Sequence, residues 1–343
     1  MKKYFPSITK TALILVYLVI VAGAVVRMSG SGMGCPDWPK CFGYYIPPTN
    51  ISELTWSQNH DFEKGQVIIR GEKLLIAKDN FNSGENFDEN HWTVYTKHDY
   101  ATFNPTHTWV EYINRLFGAV AGLACLAMAI ASISYWKQNK KVTLLSWLVV
   151  FMMGFQAWLG ATVVFSVLNP VKITVHMVMA LVIVAVILYI LHLAKPKANP
   201  LLKFDKVFDS VLIISLILTL TQVILGTQVR QYVDEQVKIV GYDGMAKILE
   251  DPIIGFYFHR TFSFVVLAIN VILIVRNRKF QLGFKKINWV LWLLAIEILS
   301  GISMYWYSFP FGSQSIHLVV ASLLFGAQFY LILESKQAEK RIL

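Results

Sequence analysis

Three histidines occur in long apolar stretches of the sequence that hold few other ionisable residues: His176, His259 and His317. An ionisable side chain inside a membrane is costly, so each of the three is a functional candidate. Two imidazoles on facing helices of a four-helix bundle can bind a haem iron from both sides. His259 and His317 are predicted to lie at the same depth and to form such a pair. A single intramembrane histidine can also simply hydrogen-bond a neighbouring helix, and this structural role remains an alternative.

Arginines accompany these histidines. Arg230 and Arg260 are expected near the outer ends of the helices of the second half. A guanidinium group matches a carboxylate in a bidentate way, so we expect both to neutralise the propionates of a haem. Arg27 holds the corresponding place in the first half of the chain. Glu297, in the middle of the seventh apolar stretch, is expected to make a structural hydrogen bond.

The first half of the chain lacks one imidazole. His176 corresponds to His317, but Asn114 stands where the second half has His259. An amide is a poor iron ligand, so a bis-histidine site cannot form from these two positions. This asymmetry favours a permanent cofactor in the second half and a ligand that binds and leaves in the first half.

Glu111 lies one turn before Asn114 on the same helix face and has no acidic counterpart in the second half. An acid beside a substrate can move protons or stabilise positive charge. The alternative is an ion pair with Arg115, four residues further on. His107, two turns before Asn114, either supplies a substitute ligand or lies on the surface.

Three cysteines are present. Cys35 and Cys41 follow the first apolar stretch, on the side of the membrane where disulfides are permitted. We expect them to form a structural or redox-active disulfide, with a pair of metal ligands as the alternative. Cys125 is expected to be buried and only to pack.

Composition indicates the kind of protein that positions these residues. Of the 343 residues 55% are hydrophobic and only 15% are charged, with a mean hydropathy of +0.51. Soluble domains carry about 25% charged residues, so a soluble enzyme, a disordered chain and a nucleic-acid binder are excluded. An all-α, multi-pass membrane protein remains, because eight stretches are long enough to cross a bilayer. They cover about residues 9–26, 110–134, 143–167, 171–194, 207–229, 255–275, 288–308 and 314–333.

The distribution of basic residues predicts the orientation. Eighteen of the 31 lysines and arginines fall on one side of the predicted spans, among them Lys195 and Lys197. By the positive-inside rule both termini are cytoplasmic, and the net charge of +10 reflects topology. A cleavable signal peptide is the alternative for the first stretch. No Arg-rich transit peptide precedes it, which favours a bacterial inner membrane.

The eight stretches read as two sets of four. Gly23 and Arg27 recur as Gly226 and Arg230 at an offset of 203 residues, and two further matches occur at offsets of 145 and 141. Duplication into two parallel four-helix bundles is therefore expected. The predicted divisions are a first span (1–26), an external loop (27–108), the remaining N-terminal helices (109–194), a linker (195–206), the C-terminal bundle (207–334) and a tail (335–343).

The sequence from Arg27 through Cys35 to Cys41 resembles the heme A synthase family. The resemblance also rests on residues in four of the predicted helices, namely Glu111 with Asn114 and Arg115, Gly226 with Arg230, His259 with Arg260, and His317. It covers nearly the whole chain except about residues 45–105, which read as an insertion. The family usually has His where this chain has Asn114.

This resemblance implies a site and a reaction. A haem b is expected on His259 and His317, with Arg230 and Arg260 on its propionates. Haem O, the substrate, is expected near His176, Asn114, Arg115 and Arg27. Its ring methyl would be oxidised to a formyl group, giving haem A for cytochrome oxidase, with Glu111 as the catalytic residue. Cys35 and Cys41 would be the family's loop cysteine pair.

The implied partners are membrane lipid, a haem O synthase as supplier and an unidentified electron donor, and a homo-oligomer is compatible with the sequence. Three competing interpretations remain. The first is a di-haem electron-transfer cytochrome, which the missing imidazole at Asn114 disfavours. The second is a non-catalytic haem-binding or transport protein, and the third is an inactive family member.

Overall fold

The computed structural model describes residues 2–194 and 200–341. Within this part of the chain, eight helices are long and apolar enough to cross a membrane, which confirms the predicted all-α, multi-pass fold. Lys195, Lys197 and the first five positions of the predicted linker lie outside the described residues. The helices are α1 (Phe5–Met28), α2 (Pro105–Ser132), α3 (Lys140–Phe165), α4 (Pro170–Ala194), α5 (Lys206–Val240), α6 (Ile254–Lys279), α7 (Ile287–Trp306) and α8 (Ser313–Glu339).

The helix ends follow from local sequence signals. Pro105 and Pro170 are the first residues of α2 and α4, where a missing backbone N–H costs nothing. The Asn104 side chain caps α2 by accepting from the His107 N–H at 3.1 Å. Two ends differ from prediction. α5 continues past the predicted end at residue 229, and α8 includes residues 335–339, which were predicted to be tail.

The helices pack as two rings of four. α1 packs on α2 and α4, and α3 closes the ring between those two. α5 packs in the same way on α6 and α8, and α7 closes the second ring. Each ring encloses its own apolar core, so α2 faces α4, and α6 faces α8, across a bundle centre. The rings meet where α4 contacts α5 and α8 and where α1 contacts α8.

Between α1 and α2 the chain forms a folded cap. Strands β2 (Val67–Arg70), β3 (Lys73–Ala77) and β5 (Trp92–Val94) make an antiparallel sheet, and β1 (Asp61–Phe62) pairs with β4 (Phe81–Asn82). The β2–β3 hairpin turns at Gly71 and Glu72, whose φ angles of 56° and 60° are those of a tight two-residue turn. Apolar side chains from the cap form two small cores. The polar segment predicted to be external is therefore folded and contains β-structure.

Asp205 joins α5 to α6 at the end of the bundle opposite the cap. Its carboxylate caps α5 by accepting from the Phe208 N–H at 2.7 Å. The same carboxylate accepts two bonds from Arg276, of 2.7 and 2.9 Å. The hydrogen bond from Arg276 lowers the pKa of Asp205, so the charged form stabilises the folded state above the usual aspartate pKa.

We predict a graded response to substitution at Asp205. Asp205→Ala removes both the cap and the ion pair, and loss of the cap alone costs about 1 kcal/mol. Asp205→Asn keeps the cap and loses only the ion pair, so its melting temperature in detergent lies between those of Asp205→Ala and wild type. The ion pair is lost only as the pH falls through the lowered pKa of Asp205, because the carboxylate is then protonated. The difference in melting temperature between wild type and Asp205→Asn therefore disappears in acid. A gap that is independent of pH would contradict this assignment.

Candidate haem sites in the two bundles

His259 on α6 and His317 on α8 face each other across the second bundle. Their ring centroids are 6.4 Å apart and the ring planes are inclined by 74°. A metal–imidazole bond is about 2 Å long, so this separation suits one metal ion between the two rings. The predicted pair is therefore brought together at the centre of the bundle.

The contacts of the two imidazoles fit iron ligands. His317 Nδ1 lies 2.9 Å from Ser300 Oγ and 3.0 Å from Glu297 Oε2. Metal-binding histidines usually direct their second ring nitrogen to a carboxylate or similar group, which fixes the ring orientation. The Nδ1 atom of His259 is buried and has no hydrogen-bond partner within the described chain. Glu297 was expected to make a structural hydrogen bond. The residue it contacts is His317, which is itself a candidate iron ligand.

Glycines lie against four side chains at this depth of the two bundles. The pairs are Gly23 with Asn114, Gly160 with His176, Gly226 with His259, and Gly301 with His317. A Cβ atom at Gly226 would lie 3.1 Å from His259 Cε1, closer than side chains normally approach. The residues related by the offsets of 203, 145 and 141 therefore have matching surroundings in the two bundles.

The first bundle holds one imidazole at this depth. His176 on α4 packs against Gly160, and its backbone carbonyl accepts from Gln156 Nε2 at 2.9 Å. Asn114 on α2 stands at the place that His259 occupies in the second bundle, and its Oδ1 atom is buried without a partner among the described residues. The first bundle thus offers one nitrogen ligand and one amide.

Glu111 and Arg115 attach α2 to the loop above it. The ion pair that the spacing allowed is present, with 2.5 Å between Arg115 Nη2 and Glu111 Oε1. The backbone N–H of Cys35 also donates to Glu111 Oε2 at 2.7 Å. The Glu111 carboxylate is buried, and these two donors hold its two oxygen atoms in place. Its catalytic role is not tested by this geometry and stays a prediction.

Arg115 holds the loop through its backbone. The guanidinium donates to the carbonyl oxygens of Cys35, Asp37 and Lys40 at 2.9 Å each. These contacts belong to the loop, and the expected contact of Arg115 with a substrate haem stays a prediction. A disulfide joins Cys35 to Cys41 inside this loop, as expected, and Cys125 is a buried free thiol.

The loop is also held from the cap. Tyr95 Oη donates to the Pro36 carbonyl at 3.2 Å, and His98 Nε2 lies 2.9 Å from the same oxygen. The Asp37 carboxylate accepts from the N–H groups of Phe42 and Gly43. Burial raises the pKa of Asp37, and these two N–H donors oppose the rise. The cap and α2 therefore grip the disulfide loop from opposite sides.

Two of the expected propionate partners share a carboxylate that sequence reasoning missed. Asp234 binds Arg230 at 2.6 Å and Arg27 at 3.3 Å, and Arg230 also donates to the Arg27 carbonyl. Asp234 lies four residues after Arg230, a spacing that was a usable signal. One carboxylate thus links two guanidinium groups, one in the last turn of α1 and the other within α5. Arg260 is not part of this group; it is exposed and lies beside the rings of Phe256 and Tyr257.

These features define a multi-pass membrane protein with a paired-imidazole site in one of its two helical bundles. The chain belongs to the COX15-CtaA family, described as cytochrome oxidase assembly protein, whose model matches residues 7–83 and 85–329. That match includes almost all of residues 45–105, so the family resemblance extends into this segment, and the insertion within it stays a prediction. The predicted family is confirmed.

Curated relatives of this chain are named heme A synthase. The protein of Flavobacterium johnsoniae is 23% identical over 92% of this chain and 93% of its own length. That of Rickettsia prowazekii is 25% identical over 91% and 92%. The relative from Shewanella oneidensis is 24% identical over 55% of this chain, and the match spans 45% of that protein.

We predict that Arg115→Lys loosens the disulfide loop. A lysine keeps the charge beside Glu111 but cannot reach three carbonyl oxygens with a planar fork of donors. The Cys35–Cys41 disulfide is then reduced several-fold faster by a water-soluble phosphine, as measured by alkylation and mass spectrometry, with Cys125 as a constant background thiol. Arg70→Lys, in the cap and away from the loop, is the matched control. Equal reduction rates for wild type and Arg115→Lys would contradict the clamp.

Proposed function

We propose that this chain is a heme A synthase, a membrane oxidoreductase that converts a ring methyl of haem O to a formyl group. Two hydroxylations of the same carbon, each a two-electron oxidation by an external oxidant, give a hydrated aldehyde that loses water to become the formyl group. The product, haem A, serves cytochrome oxidase. The observation that carries the proposal is the unequal pair of bundles, with two facing imidazoles in one and His176 opposite Asn114 in the other.

A haem b is the proposed cofactor of the second bundle, and His259 and His317 are the residues that would hold its iron. Support comes from the centroid separation of 6.4 Å and from the unpartnered Nδ1 atom of His259. The Glu297 and Ser300 contacts hold the ring of His317 in a ligand-like orientation. Such a haem supplies one-electron transfer. Arg230 and Arg260 are the proposed partners of its propionates.

The substrate haem O is assigned to the first bundle, with His176 as its iron ligand and Asn114, Arg115 and Arg27 around it. Arg27 lies in the last turn of α1, and a guanidinium group matches the carboxylate of a propionate. Glu111 is proposed to stabilise or deprotonate the intermediate at the methyl carbon. Its buried carboxylate is held by Arg115 and the Cys35 N–H, which limits its motion before reaction.

The proposed location is a bacterial cytoplasmic membrane with both termini inside, which places the cap and the disulfide loop on the outer side. A haem O synthase is the proposed supplier, because the substrate is insoluble in water and is passed within the membrane. The electron donor is a separate, unidentified component. A homo-oligomer is compatible with this arrangement.

The test is extraction of haems from a host that makes haem O but no haem A. We expect expression of this chain to yield haem A or the hydroxymethyl intermediate, identified by chromatography and mass. His176→Ala is expected to abolish both while retaining haem b, because only the substrate loses its ligand. Haem b together with unconverted haem O in wild-type cells that contain a competent electron donor would contradict the proposal.

Glu111→Gln provides a separate prediction. The amide keeps the shape of the carboxylate but not its charge, so haem b content stays normal while product formation falls by about 10²–10⁴-fold, the usual range for general acid–base groups. The matched control is Glu334→Gln, which removes a carboxylate paired with Lys286 at the opposite end of the second bundle. Unchanged product from Glu111→Gln would remove this residue from the chemistry.

A further inference from the structure

We infer that Asn114 leaves the substrate iron in the first bundle with His176 as its only protein ligand, so that the second axial position stays open to a small molecule. This inference rests on the proposed function and adds the coordination state of the substrate. It assigns to Asn114 a positioning role beside the open coordination position.

Asn114 and His259 occupy equivalent positions in the two bundles. Each lies on the helix opposite a histidine, and each packs against a glycine of the preceding helix, Gly23 or Gly226. A Cβ atom at Gly226 would lie 3.1 Å from the imidazole, whereas one at Gly23 would lie 3.9 Å from Asn114 Oδ1. The amide of Asn114 therefore occupies the position that an imidazole occupies in the second bundle, and it is the shorter of the two side chains.

Asn114 has an unused hydrogen-bond acceptor. Its Oδ1 atom is buried and accepts no hydrogen bond from the residues that the structure describes. Asn270, in the second bundle, shows what a structural intramembrane asparagine does. It donates to the Val266 carbonyl at 2.8 Å and accepts from Gln328 at 3.1 Å. Because an unsatisfied polar atom is costly in a membrane, the free oxygen of Asn114 points to a bound molecule.

Three groups near Asn114 could in principle replace the missing imidazole as an iron ligand, and none of them is placed to do so. His107 precedes it by seven residues on α2, about 10 Å along the helix axis, and therefore lies above the level of His176. The Glu111 carboxylate is occupied by Arg115 and the Cys35 N–H. Cys35 and Cys41 are joined in a disulfide and offer no thiolate. Within the described chain, these nearby groups leave the position beside Asn114 without a second iron ligand.

The amide of Asn114 has the chemistry to hydrogen-bond a small molecule at an open coordination position. An amide presents two N–H donors and one carbonyl acceptor, so it can hydrogen-bond a diatomic molecule or a water at the iron without displacing it. Six-coordinate iron between two imidazoles, as proposed for the second bundle, has no position for such a molecule. The difference between the two sites therefore separates a haem that binds small ligands from one that only transfers electrons.

The experiment uses the purified full-length chain with its resident haem, loaded with haem O and probed with carbon monoxide after reduction. We expect haem O to enter as a high-spin, five-coordinate species that binds one carbon monoxide, while the resident haem stays low-spin and unreactive. Asn114→His is expected to convert the added haem to a low-spin species and to abolish carbon monoxide binding. Asn114→Ala keeps high-spin iron and still binds carbon monoxide because an amide is not a ligand, but the bound carbon monoxide loses its hydrogen bond from the amide, which shifts its C–O stretching frequency relative to wild type.

The outcomes separate the inference from the proposed function. Haem O that binds to wild type as a low-spin species without carbon monoxide binding would overturn the open position and leave the synthase proposal standing. Failure of wild type to take up any second haem would overturn the proposed function and this inference with it. The wild-type measurement decides the question even if Asn114→His fails to fold.

Discussion

Contact between a glycine and an imidazole sets the geometry of the haem sites. Each imidazole packs against the backbone of the neighbouring helix. A glycine at the point of contact lets the helix backbone and the ring approach closely. Gly226 and Gly160 provide this space for His259 and His176. The small residue fixes the distance between helices and the orientation of the ring together. A Cβ atom at Gly226 would crowd the ring of His259 at 3.1 Å, whereas one at Gly160 would touch His176 at 3.4 Å.

The same constraint explains why the two bundles look alike although their side chains differ at one key position. Their helices pack in one pattern, and the glycines recur at equivalent places. Function then depends on the side chain opposite each partner histidine, which is imidazole at position 259 and amide at position 114. Glu111 and the disulfide loop add a second difference, because in the first bundle a buried acid is held by the N–H of Cys35 and by Arg115. Under the proposed function, one architecture accommodates a fixed haem and an exchangeable one.

Much of this arrangement could be predicted from the sequence. The eight spans follow from apolar length, and the His259–His317 pair follows from two rare residues at the same depth. The contacts that complete the sites could not be predicted. Asp234 binds an arginine more than 200 residues away, and the loop carbonyls that hold Arg115 leave no trace in side-chain patterns.

The cap illustrates a second limit of sequence reasoning. Its strands have two to five residues, too few to produce a clear alternating pattern. Its small cores combine residues from both ends of a segment that is polar on average. Helix ends were missed for a different reason, because α5 continues beyond its apolar stretch with charged residues that are good helix formers.

The most direct test of the account is an exchange experiment on the purified protein carrying two haems, with an isotopically labelled haem in excess. One haem per chain is predicted to exchange readily, and the other, held between His259 and His317, to resist exchange. A His176→Ala variant should lose the exchangeable haem and keep the resistant one. Two haems that exchange at the same rate, or a resistant haem that is lost on replacing His176, would contradict the division of roles between the bundles.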